Sequence, residues 1–138
     1  MTDKEYAFQK KRVLDLRKKW HSLLGLGWWK VEFNFCREPK DSSEKSTYAP
    51  KAVGGFWSVV METSSDPYYL TANVTCYLTE CMKLDDSDLE ETYLHEMMHI
   101  FLAPMQHNKK SGEEERVATS LARAFQWVGE DKEKKVKN

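Results

Sequence analysis

The sequence predicts an α+β fold: an N-terminal helix, a small and mostly antiparallel three-stranded sheet, then two more helices. Two observations carry this. Apolar residues recur at helical spacing near both ends of the chain, while partly alternating runs rich in aromatic and β-branched residues fill the stretch between. With 138 residues the chain is one domain by length, so helices and sheet share one core.

The first helix is expected from about Lys4 to Leu24. Phe8, Val13, Leu16, Trp20, Leu23 and Leu24 approximate one apolar stripe, and Lys10, Lys11, Arg12, Arg17, Lys18 and Lys19 form a solvated basic face. Gly25 and Gly27 end the helix, and His21 fits a cation favoured by the helix dipole. Trp28 to Phe35 reads as a strand, with Trp29, Val31, Phe33 and Phe35 on one side. Arg37 to Ala49 is polar and reads as a loop. A second strand is expected over Lys51 to Glu62, with Gly54-Gly55 as a bulge, and Ser64-Ser65-Asp66-Pro67 as a turn. Tyr69 to Leu78 alternates and forms the third strand, with Leu70, Ala72, Val74, Cys76 and Leu78 on one face.

The next helix starts with the capping-box form Ser87-Asp88-Leu89-Glu90. Leu94, Met97, Met98, Phe101 and Leu102 give it an apolar face, and Pro104 stops it. A polar connection, Gln106 to Gly112, leads to a last helix from about Glu113 to Val128. Its apolar positions are Val117, Ala118, Leu121, Ala122, Phe125 and Val128. The tail from Glu130 to Asn138 is charged and expected to fray.

Composition excludes several classes. A net charge of −1 supplies no overall basic field to draw the chain to nucleic acid or membrane. No apolar run approaches the ~20 residues of a membrane span, and no secretory signal opens the chain. Cys36, Cys76 and Cys81 are odd in number and lack zinc-like spacing, which points to reduced thiols in a cytoplasmic setting.

The chemistry lies in the second of the three expected helices, where His95, Glu96 and His99 form H-E-x-x-H. On a helix, residues i and i+4 share a face about one turn apart, so both imidazoles can reach one ion. Zinc accepts such nitrogens at about 2.0–2.1 Å. Glu96 is then placed to take a proton from water at the metal without binding it. The bland alternative is a buried helix with two hydrogen-bonded histidines.

A hydrolytic zinc site needs a third protein ligand and an open position. The extended pattern H-E-x-x-H-x-x-G-x-x-H is absent, since Leu102 and Met105 occupy its last two positions. A carboxylate from the following helix is the alternative, and Glu113, Glu114 and Glu115 stand at its start. Glu115 shares a face with Ala118, Thr119 and Ala122, small residues that permit close helix packing, and Glu114 is the runner-up. Such a run of acids also complements a helix dipole with no metal at all.

The stretch His95 to Pro104, followed by Glu115 to Phe125, resembles small phage-type and SprT-like metallopeptidases, with the minimal zincin fold of gluzincins. Glu115 to Ala118 matches the E-x-x-A pattern that the third ligand often heads in that group. The resemblance implies peptide-bond hydrolysis at a zinc ion held by His95, His99 and Glu115, with Glu96 as general base. It also implies an extended peptide or protein substrate lying along the strand before the HExxH helix, Tyr69 to Leu78, by β-augmentation. His107, Tyr77 and Tyr93 are the candidates for stabilising the oxyanion. Two other classes remain: a non-catalytic module gripping a partner peptide, and a nucleic-acid-associated protein using the basic face of the first helix, tested by salt-dependent DNA binding.

Overall fold

A computed structural model describes residues 1–39, 59–105 and 112–137. The elements run α1 (Asp3–Trp20), β1 (Lys30–Cys36), β2 (Met61–Asp66), β3 (Thr71–Tyr77), a one-turn α2 (Leu78–Cys81), α3 (Asp86–Leu102), a 3₁₀ turn (Ala103–Met105) and α4 (Gly112–Lys137). The fold is α+β, with a small mixed sheet.

Helix α1 begins at a capping box that the sequence reading passed over. Thr2 Oγ1 accepts from Glu5 N at 3.1 Å, and Glu5 Oε2 accepts from Thr2 N at 2.8 Å. Its buried line is Gln9, Val13 and Trp20. Phe8, expected in the stripe, is 61% exposed, because it lies about 100° round the helix from its buried neighbour Gln9. The helix ends at Trp20 and not at Leu24, so Leu23, 65% exposed, falls in the turn that follows. His21 departs from expectation as well. Burial first, then the nearby Arg17 charge, lowers its pKa, which opposes the expected cation.

Much of the basic face is drawn into the structure. Arg12 donates to the carbonyls of Cys81 (3.1 Å) and Leu84 (2.8 Å) and pairs with Asp86 at 2.9 Å. Lys19 pairs with Glu90 at 2.9 Å, and the Trp20 indole donates to the same carboxylate at 3.1 Å. These contacts fix α1 against α2 and α3. On the sheet side, Arg17 donates to the Val31 carbonyl at 3.0 Å and lies 5.0 Å from the centre of the Phe33 ring.

The strand order is β1-β3-β2. β2 meets β3 antiparallel, with Thr63 opposite Val74, whereas β1 meets β3 in parallel, with Phe33 opposite Val74. The sheet is therefore not mostly antiparallel. The β2–β3 hairpin puts β3 in the middle, and β1 joins its far side running the same way.

Only Met61 and Glu62 of the expected second strand fall in β2, and positions 51–58 lie outside the described residues. β2 continues through Ser64, Ser65 and Asp66, where a turn was expected, because Asn73, Ala72 and Thr71 pair with them. Small polar residues carry weak intrinsic strand preference, and the partner strand decides. The turn comes later, over 67–70. Asp66 Oδ1 accepts from Tyr68 N at 3.1 Å, and Leu70 takes a left-handed φ of 53° with its carbonyl accepting from Lys30 N at 2.9 Å. Tyr69 and Leu70 thus belong to the turn, and β3 starts at Thr71 with Ala72, Val74 and Cys76 inward as predicted.

Helix α3 is capped by Asp85, which accepts from Asp88 N at 2.8 Å, and not by the Ser87–Glu90 box. Glu90 is held by Lys19 and Trp20 instead. Leu89, Tyr93, Leu94, Met97, Met98 and Ile100 are buried in the core with Val31, Met61, Val74 and Cys76, each worth roughly 1.5–3 kcal/mol for the larger apolar side chains. Tyr93 stacks on Phe33 with ring centres 6.1 Å apart. Phe101, expected on the apolar face, is 39% exposed.

Helix α4 packs through Ala118 and Ala122, both fully buried. Val117, Leu121, Phe125 and Val128 are exposed, so the apolar spacing of α4 contains two stripes and the small one faces the core. At Gly129 a Cβ would come within 2.9 Å of the Trp20 ring, so glycine permits this close approach. The helix runs on to Lys137 where a frayed tail was expected. Glu130, Asp131 and Glu133 each stand four residues before a lysine, a spacing that supports helix.

Candidate metal centre

HExxH places His95 and His99 one turn apart on α3, and the first turns of α4 bring acidic residues over them. His95 Nε2 lies 2.9 Å from Glu115 Oε2, His99 Nε2 lies 3.2 Å from Glu115 Oε1, and the two Nε2 atoms are 3.1 Å apart. Ligands around a tetrahedral ion with ~2.0–2.1 Å bonds stand about 3.3 Å from one another, so the three groups already have nearly that separation. One available ligand atom from each lies within 4.8 Å of the others, in the only such cluster among the described residues.

The neighbouring acid has a different place. Glu114 Oε1 stands 2.7 Å from His99 Nδ1, on the far side of that ring from the cluster. A carboxylate accepts, so Nδ1 carries the proton and Nε2 presents its lone pair toward Glu115 and His95. Thr119 Oγ1, 3.0 Å from His95 Nδ1, can accept in the same way and turn the second Nε2 inward. Glu115 and Thr119 are one helical turn apart, so spacing along the sequence carried this signal. The side chain of Glu113 lies outside the described residues, as does His107.

Electrostatics follow from the packing. Hydrogen bonds from His95 and then His99 hold the Glu115 carboxyl far below the usual carboxylate range, against the opposing effect of burial. Burial alone would lower His99, but the Glu115 hydrogen bond, the Glu96 charge and the Glu114 hydrogen bond outweigh it and raise its pKa. A divalent cation suits the facing Nε2 lone pairs and the Glu115 carboxylate that meets both rings. The residues present therefore suit a metal.

Glu96 is outside the ligand set, yet its charge is near enough to act on His99. It is buried, and its Oε2 accepts from Thr63 Oγ1 on β2 at 2.6 Å. No sequence signal marked Thr63, since 33 residues separate it from its partner. Of the oxyanion candidates, the two tyrosines have their own partners. Tyr93 is fully buried in the core against Phe33, and burial raises its pKa. Tyr77 donates to Glu62 at 2.7 Å, on the sheet face opposite Thr63 by strand alternation. The three cysteines are free thiols outside the cluster; burial first pushes Cys81 up to about 11, which suits an inert core residue.

The strand expected to carry an extended substrate also changes. β3 is paired on both sides, so its backbone donors and acceptors are already used. Among the described residues, β2 is the edge strand next to α3 and to Glu96. No helix among the described residues is long and apolar enough to cross a membrane. No family model, curated protein or solved structure matches the chain.

Proposed function

We propose that the chain is a zinc-dependent metallopeptidase of gluzincin type. One observation carries the reading: three ligand groups from two helices converge as a zinc site requires, with a separate carboxylate, Glu96, beside them and outside the ligand set. Zinc bound there would bring the pKa of a coordinated water toward ~7 and polarise a peptide carbonyl.

The chain's own residues supply the rest. His95, His99 and Glu115 hold the ion, while Glu114 and Thr119 fix the ring orientations. Glu96 accepts the proton of the attacking water and returns it to the leaving amine. Among the described residues β2 is an edge strand, and its outer edge would offer backbone groups to an extended peptide in place of Tyr69–Leu78.

The test is zinc stoichiometry by elemental analysis beside cleavage of denatured casein. The wild-type chain should hold one zinc and cut casein, and Glu96→Gln should keep the zinc and lose cleavage. Cleavage that survives in Glu96→Gln removes the general base, and a chain that takes up no zinc removes the reading altogether.

A further inference from the structure

A carboxylate next in sequence to a metal ligand can serve as a base or compete for the ion's open position, and its side-chain direction decides which. We propose that Thr63 is the positioning residue that holds Glu96 as the base, an inference that rests on the peptidase reading above. Its hydroxyl donates to Glu96 Oε2 at 2.6 Å, the short distance of a bond to a charged acceptor. Both residues are buried, 6% and 8% exposed, so bulk water competes little for either group. Threonine is β-branched and stiff at χ1, which makes it a better tether than a longer donor.

The tether comes from a different element than the ligands do. His95 and His99 share α3 with Glu96, and Glu115 comes from α4, but Thr63 stands on β2. Among the described residues the ligand cluster comprises His95, His99 and Glu115, and Glu96 is outside it. If the substrate backbone pairs with the outer edge of β2, one strand then sets both the peptide and the base. The base is referenced to the peptide bond through the strand as well as through the helix. Removing the hydroxyl leaves the β2 backbone and the three ligands unchanged, so binding and metal uptake should survive while proton transfer fails.

The experiment compares wild type, Thr63→Val and Thr63→Ser, each loaded with zinc. Zinc affinity is read by chelator competition, and kcat and KM on labelled casein. Thr63→Val keeps the shape without the donor. It should retain zinc affinity and KM and lose about 10²-fold in kcat, the scale of a misplaced catalytic group. Thr63→Ser should recover most of that loss. The inference is overturned if Thr63→Val turns over like wild type, if serine is as slow as valine, or if zinc affinity falls along with kcat. If wild type holds zinc but leaves casein intact, the peptidase reading is lost and this one with it. If wild type and Thr63→Val both cut equally, only the tether is lost.

Discussion

Two junctions between helices bury charge in this molecule, and they are built in opposite ways. Where α1 meets α3, the Glu90 carboxylate receives Lys19 and the Trp20 indole, and Arg12 is spread over two carbonyls and Asp86. Each charge there has its complement within the protein. Where α3 meets α4, three carboxylates crowd two imidazoles, and the ring nitrogens face one another across 3.1 Å. The first junction joins opposite charges, and the second sets two ring nitrogens and a carboxylate at the separations that metal ligands take. Burying charge does not separate a structural junction from a candidate metal site. The facing of the donor atoms does.

Perturbing the two junctions should therefore give different signatures. The largest effect is expected from His95→Ala, which should abolish zinc uptake and casein cleavage together. At zinc a thousandfold above its dissociation constant, linkage stabilises the wild-type fold by about 4 kcal/mol, and this increment in calorimetry should vanish in the variant. Next, Glu90→Ala should cost about 2 kcal/mol in denaturant unfolding, because the buried Trp20 N–H loses its acceptor, with zinc affinity unchanged. Loss of zinc binding in that variant would show that the junctions are coupled. Glu114→Gln should weaken zinc by about 10–100-fold without abolishing it, since it disturbs the orientation of His99 and not a ligand. A complete loss there would make Glu114 a ligand.

The smallest effect is one of pH. In the metal-free chain, His99 has a raised pKa, so its contribution to stability is present below its reference value of 6.5 and is lost as pH rises through the higher folded value. Glu115 has a depressed pKa. Its contribution is present above the reference 4.5 and is lost as pH falls through the lower folded value. Metal-free stability should then be greatest between these limits and decline above pH 6.5. Zinc affinity should move the other way, rising with pH as the rings shed protons. Melting curves with and without chelator would show the two trends diverging, and a parallel course would count against a histidine-held ion.

How far this was legible from the sequence depends on the range of each interaction. The histidine pair was readable because one helical period fixes both rings. Glu115 was favoured over Glu114 through the small residues on its face, yet the part played by Glu114 needs the position of His99 in space. β2 was misplaced because its Ser64-Ser65-Asp66 run reads as a turn until β3 is laid beside it. Thr63 carried no local mark, since its meaning lies wholly in a contact across the fold. The exposed stripe of α4 misled for a related reason: spacing reveals an apolar helix face but not which of two faces is covered.

Arg17 adds a last consequence. Lys30 turns its N–H toward β3, so the carbonyl of Val31 points away from the sheet, and the guanidinium sits on it. One outward-facing acceptor of that edge is therefore already used. A contact of this kind makes the β1 edge a poorer template for a further strand at that position, and it ties the edge to α1.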